Sequence, residues 1–314
     1  MSSAREMAPD VSNPLGLDGI EFVEYSTNRP QALGQLLESI GFRPIARHRS
    51  REVLLYRQGT MNVIINAHQS TLPRSAPPSE RPVIAAICFR VRDARSAYQR
   101  ALDKGAWAVP TSVEVMELNI PAIHGVGASR IYFVDRYQDF SIYDVDFTRI
   151  PTVDPNPPAV AGLHWFGIVQ YIGDGRTDDW TEFYRELFGF EALPDDLRFC
   201  ILPKGRILKS PCSKFYLQLI APIPELLDPE REEMLQRIGF GTPDVLAAVD
   251  TLRQRGVDFI ESQQGVHTEQ RGALTKPQLG GVMFELVQHQ HQHQNQNQNQ
   301  MTEDRGQKTA GAAG

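Results

Sequence analysis

A glutamate in an apolar segment is the residue of this chain best suited to chemistry. The segment GGVMFELVQ places Glu285 between Phe284 and Leu286. A carboxylate in such a strand is costly to bury unless it binds a metal ion or pairs with a cation. The sequence therefore predicts either a metal ligand or one half of a buried ion pair at Glu285.

Three of the eight histidines stand at alternate positions near the C-terminus. His289, His291 and His293 belong to the tract HQHQHQNQNQNQ, which is of low complexity and predicts no structure. These imidazoles could bind a divalent metal adventitiously, but an unstructured tail is the expectation. The three cysteines have neither a disulfide framework nor a paired metal-ligand spacing.

Composition excludes several classes of partner. The chain has 314 residues, enough for two domains, and a net charge of −6 without a sustained basic face, so nucleic acid is not expected. No apolar run reaches the roughly 18 residues of a membrane span, and the N-terminus has no apolar signal region. We expect a reduced, cytoplasmic protein without a membrane partner.

One pattern, an amphipathic helix that ends at a glycine and precedes a strand, occurs four times. Apolar residues at helical spacing precede Gly41, Gly105, Gly189 and Gly256. Strand-like hairpins follow each helix, for example two strands joined around Arg136 to Asp139 in RIYFVDRYQDFSIYDVDF. The repeating unit is therefore βαβββ. The predicted boundaries are a disordered N-terminus (1–12), an N-terminal domain (13–150), a proline-rich linker (151–160), a C-terminal domain (161–288) and a disordered tail (289–314).

Paired βαβββ modules resemble the vicinal oxygen chelate superfamily, which implies an α+β fold of half-open, glyoxalase-like barrels. The first half is more specific. NPLGLDGIEFVEY, FRVRDARSAYQRALDKGA and MELNIPAIHGVG resemble the N-terminal domain of bacterial 4-hydroxyphenylpyruvate dioxygenases. The second half matches more loosely, through LQRIGFGTPDVLAAVDTLRQRGVDF and GGVMFELVQ. In that family the N-terminal half is structural and the C-terminal half binds Fe(II).

The resemblance implies that two histidines and one glutamate bind Fe(II), with open positions for a 2-oxo acid and O2. Glu285 stands at the glutamate position, but Arg237 and Gly167 stand at the two histidine positions. Arginine has no lone pair to give a metal, and it can instead pair with Glu285. His164 lies three residues from Gly167, so in a regular strand it faces the other side unless a bulge intervenes.

Other departures affect the substrate side of the predicted site. Where the family has a polar Pro-Leu-Asn element, the strand KFYLQLIAP carries Gln218 and Ile220. The tract that follows Gln288 replaces the family's aromatic-rich closing helix. We expect Arg237, Gln218 and Phe284 to contact a ligand, which is a small aromatic or 2-oxo acid.

Three functions stay open at this point. The first is a family member without the Fe(II) site that binds an acid and does no oxidative chemistry. The second is an active Fe(II) dioxygenase of aromatic catabolism with a non-standard ligand set such as His164, His267 and Glu285. The third is a regulatory or structural partner of another dioxygenase. Fe(II) is expected only for the second, and the resemblance also implies a homo-oligomer.

Overall fold

The computed structural model describes residues 12–67, 81–110, 118–138, 140–194, 205–222, 232–261 and 272–290. The predicted positions of His267, His291 and His293 lie outside these ranges, as does Cys200. Within them, no helix is long and apolar enough to cross a membrane.

Four longer helices form where the sequence predicts them: α1 (Pro30–Ser39), α2 (Ala94–Asp103), α4 (Thr177–Phe188) and α5 (Val245–Gln254). Asp93 and Asp244 cap α2 and α5, since their Oδ1 atoms accept from Ser96 N at 2.6 Å and Ala247 N at 2.9 Å. Each helix is followed by one of the predicted glycines with positive φ, for example 79° at Gly189. Helix α3 (Tyr143–Asp146) is a single turn.

Among the residues that the structure describes, fifteen strands accompany these helices. In the first half they are β1 (Ile20–Ser26), β2 (Arg43–His48), β3 (Val53–Gln58), β4 (Met61–Asn66), β5 (Val83–Arg90), β6 (Ala122–His124), β7 (Arg130–Val134) and β8 (Phe147–Arg149). In the second half they are β9 (His164–Tyr171), β10 (Glu191–Ala192), β11 (Arg206–Lys209), β12 (Tyr216–Ile220), β13 (Met234–Thr242), β14 (Ala273–Leu274) and β15 (Phe284–Gln288).

All the described strands belong to one sheet, in the order β10-β11-β12-β9-β13-β5-β1-β4-β3-β2-β8. β15 joins β13, and β7 joins β5. The two halves meet where Leu235 of β13 pairs with Ile84 of β5. The expected α+β fold of repeated modules is confirmed, and the repeat explains why β9, β13 and β15 are adjacent.

The main core lies between the sheet and the four longer helices and contains residues of both halves. Phe42 packs against Phe240 with ring centroids 6.0 Å apart, and Phe89 packs against Phe188 at 5.5 Å. These contacts join residues about 100 to 200 positions apart in sequence. A shared core makes the C-terminal sheet a rigid support for the side chains on its other face.

One predicted hairpin is wrong. RIYFVDRYQDFSIYDVDF was expected to form two strands around Arg136, but the second part begins as the turn α3 and only then becomes β8. Ser141 N donates to Asp144 Oδ2 at 2.9 Å, which favours a helical turn over an extended strand. β8 then pairs with β2 and not with β7.

Candidate functional site

Four residues on adjacent strands of the second half lie in one row. Tyr216 of β12 is opposite Gly167 of β9, Gly167 is opposite Gly239 of β13, and Gly239 is opposite Glu285 of β15. Residues directly opposite each other in a ladder point to the same face. We call these four residues the glycine row. It contains two of the three positions at which the resemblance implies metal ligands.

Arg237 stands two residues before Gly239 and therefore shares its face of β13. Its Nε donates to Glu285 Oε2 at 3.0 Å, and only 1% of the Arg237 side chain and 5% of the Glu285 side chain are exposed. Nη1 donates to the Gln236 side chain. The ion pair anticipated as the alternative to metal binding at Glu285 is thus formed.

The third nitrogen of this guanidinium is unused. Arg237 Nη2 is buried and has no hydrogen-bond acceptor within the described residues. A buried donor without an acceptor costs roughly 1–3 kcal/mol, and more when it is charged. The arrangement therefore presents an NH2 group to which an added carboxylate could accept a hydrogen bond.

Gly167 has no room for any side chain. A Cβ built there would lie 2.1 Å from the carbonyl oxygen of Tyr216, which belongs to the backbone of the neighbouring strand. Backbone cannot move aside as a flexible side chain can. The glycine is therefore required by close strand packing, and an imidazole cannot occupy this position without a shift of β9 or β12.

A β-bulge determines where His164 lies. Gly239 is opposite Gly167, but Phe240 is opposite Trp165, so Phe166 is an extra residue in β9. The extra residue reverses the alternation of side chains. His164 consequently lies opposite Gly241, on the same face as the glycine row, and the alternative with a bulge is the one that the structure shows.

His164 is nevertheless engaged by other groups. Its Nδ1 lies 3.0 Å from the Gly162 carbonyl oxygen and its Nε2 lies 2.9 Å from His289 Nδ1. Burial lowers the pKa of His164, and the neighbouring His289 lowers it further. The neutral imidazole is therefore favoured at neutral pH.

Aromatic side chains cover this end of the glycine row. Phe166 lies 5.0 Å from Tyr216 and 5.4 Å from His289, measured between ring centroids. A Cβ added at Gly239 would be 3.5 Å from Phe166 Cδ1, so the Phe166 ring lies above that glycine. We call Phe166, Tyr216 and His289 the aromatic cluster. Sequence reasoning missed it, although glycines within strands are a signal for bulges and close approach.

The remaining predicted residues are distributed over both faces. Gln218 is half-buried and lies opposite Val169, which is also opposite Arg237, so Gln218 and Arg237 share a row. Ile220 is the last residue of β12 and is buried. Phe284 is 2% exposed and packs against Phe240 at 5.6 Å. Phe284 therefore lies in the core, on the opposite face from Glu285.

Within the ranges that the structure describes, no three His, Cys, Asp or Glu side chains lie close enough together to hold a metal ion. Glu285 faces a cation, and His164 faces another histidine. The described residues thus place a guanidinium, and not a set of metal ligands, beside Glu285.

Comparison with known proteins agrees with this architecture. A family profile described as hydroxyphenylpyruvate dioxygenase, N-terminal, matches residues 11–148. A 4-hydroxyphenylpyruvate dioxygenase of Pseudomonas sp. (strain P.J. 874) is 32% identical over 82% of this chain and 75% of its own length. The chain belongs to the 4-hydroxyphenylpyruvate dioxygenase family. A protein named hemolysin VllY from Vibrio vulnificus is 36% identical over 80% of this chain and 74% of its own.

Other relatives carry the same unit within longer chains. A 3-dehydroshikimate dehydratase of Pseudomonas aeruginosa is 31% identical over 78% of this chain but only 40% of its own length. Among solved structures, a fusion of a xylose isomerase-like TIM barrel with a 4-hydroxyphenylpyruvate dioxygenase matches with a TM-score of 0.66 and 25% identity, over 90% of this chain and 51% of its own. A 4-hydroxymandelate synthase mutant from Streptomyces coelicolor shares the fold, with a TM-score of 0.68 and 18% identity over 87% of this chain and 92% of its own.

Proposed function

We propose that this member of the family binds an aromatic or 2-oxo acid at Arg237 and does no oxidative chemistry. The observation that carries the proposal is the buried ion pair of Arg237 and Glu285. Within this pair, Arg237 places a guanidinium on the face where the resemblance implies iron. Guanidinium groups bind carboxylates strongly and with defined geometry.

The residues at the implied metal positions do not fit Fe(II). Gly167 offers no donor atom, and the Tyr216 carbonyl oxygen excludes a side chain there. Arg237 has no lone pair and repels a cation. The Glu285 carboxylate already accepts from Arg237 Nε. The donor set of an Fe(II) site is therefore not present at these three positions.

Arg237 Nη2 and the aromatic cluster together favour an aromatic acid. Nε and Nη1 are engaged within the protein, so an incoming carboxylate would accept from Nη2. Tyr216 lies on the same face of the sheet as Arg237, one row away, and the Phe166 ring packs against it with centroids 5.0 Å apart. An aromatic ring gains from edge or offset contacts with such side chains. Glu285 holds the guanidinium in place, which reduces the entropy lost on binding.

Calorimetric titration with 4-hydroxyphenylpyruvate, and with the uncharged analogue in which an alcohol replaces the carboxylate, tests the proposal. We expect the acid to bind and the alcohol to bind at least about tenfold more weakly, since a charge-assisted hydrogen bond is worth roughly 1.5–3 kcal/mol. Arg237→Met combined with Glu285→Leu should abolish the preference for the acid. Arg253→Met removes an exposed arginine on α5 and serves as the matched control, with unchanged binding.

Oxygen uptake in the same samples distinguishes an active Fe(II) dioxygenase from a protein that only binds the acid. An active dioxygenase would consume O2 when 4-hydroxyphenylpyruvate is added to protein loaded anaerobically with Fe(II). We expect no substrate-dependent uptake. Equal binding of acid and alcohol, or uptake that needs both iron and substrate, would contradict the proposal.

The fusion relatives favour a second candidate function, in which this unit supports another enzyme. The 3-dehydroshikimate dehydratase matches over only 40% of its own length, and the solved fusion protein joins the unit to a xylose isomerase-like TIM barrel. Under this candidate the chain would bind a separate enzyme and alter its turnover. Size-exclusion chromatography with a family dioxygenase, followed by measurement of kcat for the mixture, tests it. An unchanged elution volume and kcat would contradict it.

A further inference from the structure

A groove in the first half lies between helix α1 and the strands β2, β3 and β4. Its volume of about 770 Å³ is within the range of small-molecule sites. Glu38 lines it from α1, Arg47 lines it from β2, and Leu54 and Tyr56 line it from β3. We call it the α1 groove. Its lining combines two charges of opposite sign with an apolar surface.

The hydroxyl of Tyr56 is the feature of the α1 groove that indicates a ligand. Tyr56 is only 5% exposed, yet within the described ranges its Oη makes no hydrogen bond. Burial raises the pKa of Tyr56 to about 12, and the negative charge of Glu38 adds to this increase. The hydroxyl therefore stays protonated at neutral pH and can donate to an acceptor that enters the groove.

A glycine in the middle of α1 makes room for this hydroxyl. A Cβ added at Gly34 would lie 2.3 Å from Tyr56 Oη. Glycine is unfavourable relative to alanine inside a helix. Helix α1 thus gives up stability at the position where the hydroxyl approaches its backbone.

The two opposite charges in the α1 groove do not pair with each other. Among the described residues, neither the Glu38 carboxylate nor the Arg47 guanidinium has a hydrogen bond or an ion pair. The neighbouring arginines differ in this respect, since Arg49 Nη2 donates to the Asp144 carbonyl oxygen at 3.3 Å and Arg51 is also engaged. Glu38 and Arg47 are therefore both available to a ligand.

Hydrogen bonds hold both sides of the α1 groove in place. Arg255 of the second half donates from Nη2 to the backbone oxygen of Glu38 at 2.8 Å, at the end of α1. The loop after β2 is held by Ser50 N and Arg51 N, which both donate to His48 Nδ1 at 3.2 Å. A groove that is already formed loses little entropy when it binds a small molecule.

We propose that the α1 groove binds a free α-amino acid with an apolar side chain. The ligand carboxylate pairs with Arg47 and accepts from the Tyr56 hydroxyl, the ammonium group pairs with Glu38, and the side chain packs on Leu54. A simple acid or amine would satisfy only one of the two charges. The α1 groove lies in the other half of the chain from Arg237, so this inference goes beyond the function proposed above.

Calorimetric titration of the full chain with L-leucine tests this site. Isocaproate is leucine without the ammonium group, and isoamylamine is leucine without the carboxylate. We expect one L-leucine per chain. Each analogue should bind about fivefold more weakly, which is the upper range for one exposed ion pair. Arg237→Met/Glu285→Leu should leave these affinities unchanged, which separates the α1 groove from acid binding at Arg237.

Substitutions in the α1 groove assign each charge to its partner. Arg47→Gln should bind leucine and isoamylamine equally, and Glu38→Gln should bind leucine and isocaproate equally, because each variant lacks the partner of the group that the analogue lacks. Tyr56→Phe should weaken leucine binding roughly threefold. Arg43→Gln removes an exposed arginine of the same strand outside the groove lining and is the matched control, with unchanged binding. Melting temperatures verify that each variant folds.

Two results would overturn the proposal. One is an absence of leucine binding to the full chain. The other is leucine binding whose preference over both analogues survives Arg47→Gln and Glu38→Gln, because the ligand would then be held elsewhere.

Discussion

Removing one charge of the Arg237–Glu285 pair should destabilise the fold far more than removing both charges. At an effective dielectric constant of about 20, two unit charges 3.0 Å apart attract by about 5 kcal/mol, and desolvation of both groups offsets much of this. Arg237→Met leaves a buried carboxylate, and Glu285→Leu leaves a buried guanidinium. Each single substitution should cost about 3–5 kcal/mol in the free energy of unfolding.

The double variant Arg237→Met/Glu285→Leu should fall within about 1 kcal/mol of the unmodified chain or exceed it, because no charge remains to be buried. The magnitude of the coupling energy from the cycle is then at least about 5 kcal/mol. Urea unfolding followed by circular dichroism at pH 7 gives all four values.

The exposed pair Arg185–Glu182 is the matched control for burial. Its side chains are 61% and 53% exposed, and its atoms approach as closely as those of the buried pair. Removing either partner should change stability by less than about 0.5 kcal/mol. If the substitutions at 237 and 285 were additive and each cost less than about 1 kcal/mol, the reasoning about a coupled buried pair would be refuted.

Three further predictions concern other parts of the molecule. Gly167→His with Arg237→His restores the implied ligand types, yet metal analysis should find no stoichiometric iron, since the backbone at 167 excludes the ring. Burial raises the pKa of Glu24. The protonated Glu24 therefore contributes most to stability in acid, and this contribution is lost as pH rises above 4.5. Glu24→Gln should raise the melting temperature at pH 8 and leave it without that increase at pH 4. Tyr184→Phe removes the hydrogen bond that Tyr184 Oη donates to Gln170 Oε1 at 2.9 Å. It should lower the free energy of unfolding, measured in urea, by about 1–3 kcal/mol. No change would mean that a water molecule satisfies Gln170 in the variant.

Much of the fold follows from local sequence signals. The four helices end at glycines because positive φ is needed there, and Asp93 and Asp244 begin α2 and α5 because their side chains accept the first free N–H groups. These signals act within a few residues. The strand content of SIYDVDF was misjudged because the local bond from Ser141 to Asp144 competes with the sheet.

The candidate site was only partly predictable. The pairing of Arg237 with Glu285 could be predicted because the two residues have opposite charges and stand at two positions where the family resemblance implies ligands of one metal. The bulge at Phe166 does not, since it depends on the register between β9 and β13, which are about 70 residues apart in sequence. That single register shift moved His164 to the face of the glycine row and created the pair with His289.

Iron content measures the central claim most directly. The full chain with His289, His291 and His293 replaced by glutamine would be loaded anaerobically with Fe(II), desalted and analysed for metal, in parallel with an active family dioxygenase. We predict iron far below one per chain here and close to one per chain in the active enzyme. One tightly held iron per chain, lost on Glu285→Gln, would contradict the account in which a guanidinium replaces the metal.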